Sequence, residues 1–199
     1  MSEETSVIAP NAIHPAETEA EATPHQSNLL REIIETALLT AIIFLVVNTV
    51  IGRFRIEQVS MQPTLHEGEY VIVDKVSYLF HPPERGDIIV FKHPGEDLIK
   101  RVIGLPGETI EIQGGRVYID GNVLAEPYLT EPIRSPLSAQ KIEAGRYFVM
   151  GDNRNNSSDS RAFGTIPASD MIGRAAIIYW PPPNWQIMPS YSYAAAISP

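Results

Sequence analysis

Ser60 and Lys100 are two residues whose types, taken together, suit catalysis without a metal or a cofactor. Ser60 stands in Val59-Ser60-Met61-Gln62-Pro63-Thr64-Leu65, shortly after a long apolar run. A serine ahead of a proline turn is either an ordinary loop residue or a nucleophile that needs a base. Lys100 lies in Asp97-Leu98-Ile99-Lys100-Arg101-Val102-Ile103. In a strand, Lys100 and Val102 share one face and Ile99 and Ile103 the other. A lysine on a partly apolar face is either a snorkelling edge residue or a desolvated amine. An ordinary lysine titrates near ~10.4 and is a poor base at neutral pH. Burial, together with the like charge of Arg101 if it approaches, lowers that value into a working range.

Other chemistries find less support in the chain. Cysteine is absent, which removes thiolate nucleophiles, thiolate metal sites and disulfides. His66, His81 and His93 sit near prolines in loop-like text with no i,i+4 pairing, so no metal site is expected. There is no G-x-S-x-G elbow for a Ser-His-Asp enzyme. Gly104-Leu105-Pro106-Gly107 reads as a β-turn, not a phosphate loop, because no strand-to-helix switch follows. The chain has 24 acidic and 15 basic residues and a net charge of -9, which argues against nucleic acid as a partner.

The elements around these residues fall into unequal parts. Residues 1-28 hold five Glu, three Pro and no Lys or Arg, and are expected to form a disordered acidic tail. Thr36 to Gly52 is a run of 17 residues without a charge, extended by Ile33 and Ile34. We assign residues 29-54 to a transmembrane anchor, against the alternatives of a buried core helix or a cleaved leader. Asn48 lies inside the span, where its amide is able to contact another helix. From residue 55 the text changes to short apolar stretches cut by Gly and Pro. Strands are expected at 70-73, 87-91, 98-103, 109-112, 116-119, 147-150 and 175-180, with Gly114-Gly115 turning a hairpin. Many short strands and no long helical period give an all-β, barrel-like or sandwich-like domain over 55-182. Residues 183-199 are expected to form an extended surface tail.

Four ordered segments bring these features together: SMQPTL at 60-65, GEYVIVDK at 68-75, KRVIGLPGE at 100-108 and GDNRNNSSDSRAFG at 151-164. With the preceding apolar span, they resemble bacterial-type signal peptidase I, the membrane-bound Ser/Lys leader peptidases. The resemblance runs from the span to about Tyr179. It implies an all-β catalytic domain of the signal peptidase I type, behind one transmembrane helix and a disordered N-terminal tail. It also implies a nucleophile at Ser60, a general base at Lys100 and an orienting hydroxyl at Ser157. Asp159 and Arg161 fall where the family has a supporting ion pair. Gln58 stands where many members carry a serine whose hydroxyl assists the oxyanion hole and others carry glycine. Its amide either substitutes or points away. Glu69 and Glu108 stand where many members have Asp.

By the same resemblance, Ile56, Met61, Leu65, Val71, Leu98 and Ile99 should line two shallow apolar pockets. Such pockets accept small side chains at -1 and -3 of a signal peptide. The implied partners are signal peptides of exported preproteins, membrane lipid and a nearby secretion translocon; no cofactor is implied. The implied location is the plasma membrane, single-pass, with the N-terminus cytoplasmic and the domain on the exported side. Arg31 before the span and Arg53 and Arg55 after it weakly favour the reverse orientation. Apolar surface flanking Met61 and Leu65 is expected to face lipid. The rival readings are a self-cleaving regulator or another Ser/Lys peptidase with a related β domain, or a tethered, non-catalytic peptide-binding module. The span argues against the first, and the retention of both Ser60 and Lys100 argues against the second.

Overall fold

The computed structural model describes residues 25-189, 191 and 193. The expected disordered tail therefore lies almost wholly outside the described residues. Its end does not: His25 already begins helix α1, which runs to Val50. The chain divides into two units, one ending at Ile43 and one beginning at Phe44.

Asn28–Val50 is long and apolar enough to cross a membrane, at about 1.5 Å per residue. Its leucine, isoleucine, valine and phenylalanine side chains are exposed all round, from Leu29 to Val47. That separates it from the core helix of a soluble protein, whose apolar stripe would be covered. Its polar residues are satisfied within the helix. Thr40 Oγ1 donates to the Thr36 carbonyl and Thr49 Oγ1 to the Leu45 carbonyl, each at 2.8 Å. The Asn48 amide donates to the Phe44 carbonyl at 3.0 Å, so it is already engaged within its own helix.

The helix stops earlier than the apolar run does. Ile51–Arg55 form strand β1, paired antiparallel with β2 (Tyr70–Asp74), Ile51 opposite Asp74 and Arg55 opposite Tyr70. Hydropathy continues through Ile51 and Gly52, but a partner strand takes up the backbone groups there. The remaining strands are β3 (Ile88–His93), β4 (Glu96–Gly104), β5 (Thr109–Gln113), β6 (Arg116–Ile119), β7 (Asn122–Val123), β8 (Leu137–Lys141), β9 (Arg146–Met150), β10 (Ile166–Pro167), β11 (Met171–Trp180) and β12 (Gln186–Ile187). One sheet has the order β1-β2-β11-β3-β4-β9-β10, with β12 added to β11, and the other has β7-β6-β5-β8. All pairings are antiparallel.

The centre of the larger sheet is buried on both faces. Ile88 and Val90 of β3 pack with Val71, Val73 and Ile178, while Ile89 and Phe91 pack with Leu98, Val102 and Val149. Burial on both faces is why β3 reads as an unbroken Ile-Ile-Val-Phe run. Gly114 and Gly115 have φ of 58° and 78°, the left-handed pair that a two-residue hairpin needs between Gln113 and Arg116. The C-terminal segment does more than lie along the surface. It adds β12 to the sheet and buries Tyr193 in a core with Tyr128, Phe148 and Met150.

One ion pair is fully enclosed. Arg101 on β4 donates to Asp152 through Nε at 2.8 Å and Nη2 at 2.6 Å, both side chains having no exposure. Its Nη1 reaches the Gly86 carbonyl at 2.8 Å, and the guanidinium lies 4.1 Å from the Tyr128 ring centroid. Asp152→Ala should leave a buried cation without its partner. We expect a loss of about 3–5 kcal/mol in urea unfolding, and a much smaller loss when Arg101→Met accompanies it.

Candidate active site

Ser60 lies in the segment linking β1 to β2. The ends of that segment are clasped by Ile56 N–H to the Glu69 carbonyl and Gly68 N–H to the Ile56 carbonyl, both at 2.8 Å. Met61 and Leu65 are fully buried beside Val71 and Ile56, so apolar contacts hold the segment down on either side of the serine. Buried Glu69 accepts from the His66 N–H at 2.8 Å and from Asn184 Nδ2 at 2.6 Å. From the other side, Asn153 N–H donates to the Ser60 carbonyl at 3.0 Å and Asn153 Nδ2 to the Val59 carbonyl at 3.2 Å.

Lys100 comes from β4, opposite Ile89 of β3 and on the same strand face as Leu98 and Val102. It is 1% exposed and Ser60 5%. Lys100 Nζ donates to Ser60 Oγ at 2.8 Å and to the Ile99 carbonyl at 2.9 Å. Burial lowers its pKa to about 8, against an opposing pull from the carboxylates of Asp159 and Glu96. The sequence reading allowed Arg101 a share in this shift. Arg101 instead projects from the other face of β4 and is neutralised by Asp152, so dehydration is the cause. A neutral amine so placed offers its lone pair to the Ser60 hydroxyl, the arrangement required for proton removal from an attacking oxygen.

The segment 151-161 backs the pair. A side chain at Gly151 would overlap Ser157 Oγ and the Ser60 carbonyl oxygen, so glycine is needed here for close approach and not for a left-handed φ. Asp159 is fully buried and caps the short helix α2 (Ser160–Phe163). Its carboxylate accepts from Gly151 N–H at 3.1 Å and from both Nε and Nη2 of Arg161 at 2.8 Å. Arg161 Nη2 also reaches the Arg154 carbonyl at 2.6 Å. The expected Asp159–Arg161 pair thus closes the segment upon itself. Ser157 Oγ, expected to hold the lysine, is buried with no hydrogen-bond partner among the described residues. The amine turns to Ser60 and the Ile99 carbonyl instead.

The stretches that lead into Ser60 and Lys100 enclose a cleft of about 210 Å³, lined by Phe54 to Gln58 on one wall and Glu96 to Ile99 on the other. Ile56, Leu98 and Ile99 stand in its wall, whereas Met61, Leu65 and Val71 have no exposed surface and support it from behind. Gln58 Nε2 donates to Glu96 Oε2 at 3.0 Å, bridging the two walls. His66 and His81 are exposed, and His93 packs on Phe163 with ring centroids 4.8 Å apart. Sequence reasoning missed the parts played by Arg101, Asp152, Asn153, Arg154 and Glu126. Buried Arg154 is paired with Glu126 and donates to the Gly151 carbonyl at 3.1 Å. Four of these residues sit within recognised segments, but their partners lie far along the chain.

The family model described as signal peptidase, peptidase S26, matches residues 30–180. The chain belongs to this family. It is 42% identical over 193 residues to the signal peptidase I of Leptolyngbya laminosa, covering 91% of this chain and 94% of that one. It is 46% identical over 147 residues to the probable signal peptidase I-1 of a Synechocystis strain, covering 69% and 75% respectively. It is 40% identical over 141 residues to signal peptidase I V of Bacillus subtilis, covering 63% and 84%. Membership in the signal peptidase family makes the chain a peptidase of the class that processes signal peptides. The family is membrane-associated, and α1 fits a single span.

The electrostatics of the pair can be measured apart from turnover. In ¹³C-lysine NMR of the micelle-solubilised chain, one Cε resonance should titrate near pH 8 and disappear in Lys100→Ala. Glu96→Gln removes a charge that favours the protonated amine, so the same resonance should titrate at lower pH. A titration unchanged in Glu96→Gln would show that this carboxylate does not act on Lys100.

Proposed function

We propose that this chain is a membrane-anchored serine endopeptidase that removes signal peptides from exported preproteins, with Ser60 as nucleophile and Lys100 as general base. The observation that carries the proposal is the buried Nζ–Oγ contact at 2.8 Å, in surroundings that lower the pKa of the amine to about 8 and so raise its neutral fraction near physiological pH. Neutral Lys100 takes the hydroxyl proton as Oγ attacks the carbonyl carbon of the scissile bond. The Ser60 N–H donates to the developing oxyanion. The Gln58 amide, held to Glu96 by one N–H, serves the cleft wall in this reading. Protonated Lys100 then passes its proton to the leaving amine, and the C–N bond breaks. The amine next deprotonates a water that hydrolyses the Ser60 ester. Ser157 Oγ, buried and unpartnered among the described residues, is an acceptor for the lysine once Oγ is acylated. Asp159 and Arg161 hold the segment that carries it.

The substrate reading rests on strand edges. β9 pairs with β4 only from Arg101 onward, which leaves the backbone of Glu96 to Lys100 without a β9 partner. An extended peptide entering the cleft would add there as a strand, with alternate side chains directed to the wall. A volume of about 210 Å³ walled by Ile56, Leu98 and Ile99 suits small apolar side chains, in keeping with small residues at -1 and -3. We further propose that the domain stands on the exported side of the plasma membrane, with the N-terminus in the cytoplasm, where cleavage sites emerge from the translocon.

Two outcomes test this. Ser60→Ala, Lys100→Ala and Lys100→Arg should each lower preprotein cleavage by roughly 10³-fold or more while leaving the β-sheet spectrum intact. The arginine variant is the sharper test, because a guanidinium keeps its charge and cannot become a neutral base. Wild-type activity should rise with pH through about 8 as Lys100 deprotonates. Near-normal turnover by Lys100→Arg would overturn the dyad. For orientation, protease added outside spheroplasts should degrade the domain; a protected domain would reverse the sidedness.

A further inference from the structure

Met61 and Leu65 are both fully enclosed, so neither side chain supplies the lipid-facing surface expected in the region that flanks them. Among the described residues after the span, two of the most exposed large apolar side chains are instead neighbours: Leu79, 76% exposed, and Phe80, 85% exposed. They stand on the turn that follows β2, and this turn is tied to the end of α1. Lys75 N–H donates to the Val50 carbonyl at 3.0 Å, and Asp74 pairs with Ile51, the first residue after the helix.

The turn is built to hold these side chains outward. Asp74 Oδ1 accepts from the Val76 N–H at 2.9 Å and the Ser77 N–H at 3.1 Å, and its other oxygen bonds Ser77 Oγ. Leu79 N–H and Phe80 N–H close on the carbonyls of Val76 and Ser77 at 2.9 and 3.0 Å. Tyr78 points the other way and anchors its hydroxyl to Asp87 at 3.0 Å. The bond pattern therefore spends the polar groups inside the turn and leaves a leucine and a phenylalanine in the open, at a cost that water alone does not offset.

Two exposed cations share this end of the sheet. Arg53 Nη2 donates back to Asn48 Oδ1 in the last turns of α1 at 3.3 Å. Lys75 lies across Gly52, its Cε 2.9 Å from where a Cβ would stand. The carboxylate of Asp74 is turned into the turn, so the cations are not cancelled by it. An apolar pair flanked by basic residues where a membrane-spanning helix ends matches the chemistry of an anionic lipid surface.

We propose that the Leu79–Phe80 turn is a lipid-contacting foot of the catalytic unit, seated in the bilayer interface beside the end of α1, with Arg53 and Lys75 on the headgroups. The contact would restrain the domain against the membrane at a second point beyond its covalent tether. The proposal depends on α1 being a span, and the test separates the two.

The chain has no cysteine, so a single introduced thiol can be labelled uniquely. The full chain bearing Phe80→Cys, or Glu143→Cys at an exposed control site, would carry an NBD fluorophore in phosphatidylcholine–phosphatidylglycerol vesicles. Retention of the chain on floated vesicles after carbonate washing establishes the span. The Phe80 label should then show blue-shifted emission, quenching by doxyl-labelled lipid and weak quenching by iodide. The Glu143 label should show the opposite pattern. A retained chain whose Phe80 label is quenched by iodide as readily as the control overturns the foot alone. A Phe80 label shielded from both quenchers also overturns it, by showing that protein covers the turn. A chain lost on carbonate washing removes the span, and the proposal with it.

Discussion

Strand alternation on β4 places two consecutive cations, Lys100 and Arg101, on opposite faces of one sheet, and the structure treats them in opposite ways. Arg101 receives Asp152 in a bidentate pair, with Tyr128 against its plane. Lys100 receives a hydroxyl and a carbonyl and, among the described residues, no carboxylate within hydrogen-bond reach. Charge is compensated on one side and withheld on the other. An amine without a counter-ion in a dry place is driven toward its neutral form, and that form is the one able to accept a proton. The same principle forbids leaving Arg101 similarly bare, since a guanidinium cannot shed its charge.

Both requirements converge on the segment after β9. Asp152 leaves it toward one face of β4, where it also accepts Thr64 Oγ1 from the Ser60 segment at 2.5 Å. Asn153 holds the backbone of Ser60 itself. Asp159 fastens the far end through Arg161 and the Gly151 N–H. The site is thus assembled from three stretches distant in sequence. Hydrogen bonds join them alongside the apolar packing of Met61 and Leu65, which fixes the relative position of Ser60 and Lys100 closely.

The sequence made some of this legible and hid the rest for physical reasons. Strands buried on both faces, such as β3 and β9, announce themselves as apolar runs. β8 does not: Leu-Ser-Ala-Gln-Lys is almost entirely solvent-facing and is a strand only because β5 pairs with it. Likewise Ile51 and Gly52 read as membrane-spanning residues by hydropathy, while pairing with β2 makes them strand. Ser60 and Lys100 were nameable from their segments, but the distance between them was not. The bias of Lys100 was expected from two sources and comes from one. Nor did residue type reveal that the amide of Gln58 is held by Glu96, that Ser157 Oγ stands without a partner, or that Tyr193, in a proline-containing tail, enters the core.

The position of β11 bears on biogenesis. It lies between β2 and β3, pairing with both, although it is the penultimate strand in the chain. A ribosome makes β1 through β10 before it, and until β11 arrives β2 has no neighbour on the side away from β1. The sheet that presents Ser60 cannot close in the order in which it is synthesised. Such non-local closure is slow relative to hairpin formation. A nascent domain would therefore lack the sheet contact between the strands flanking Ser60 and the strand carrying Lys100 until nearly all of it had been made.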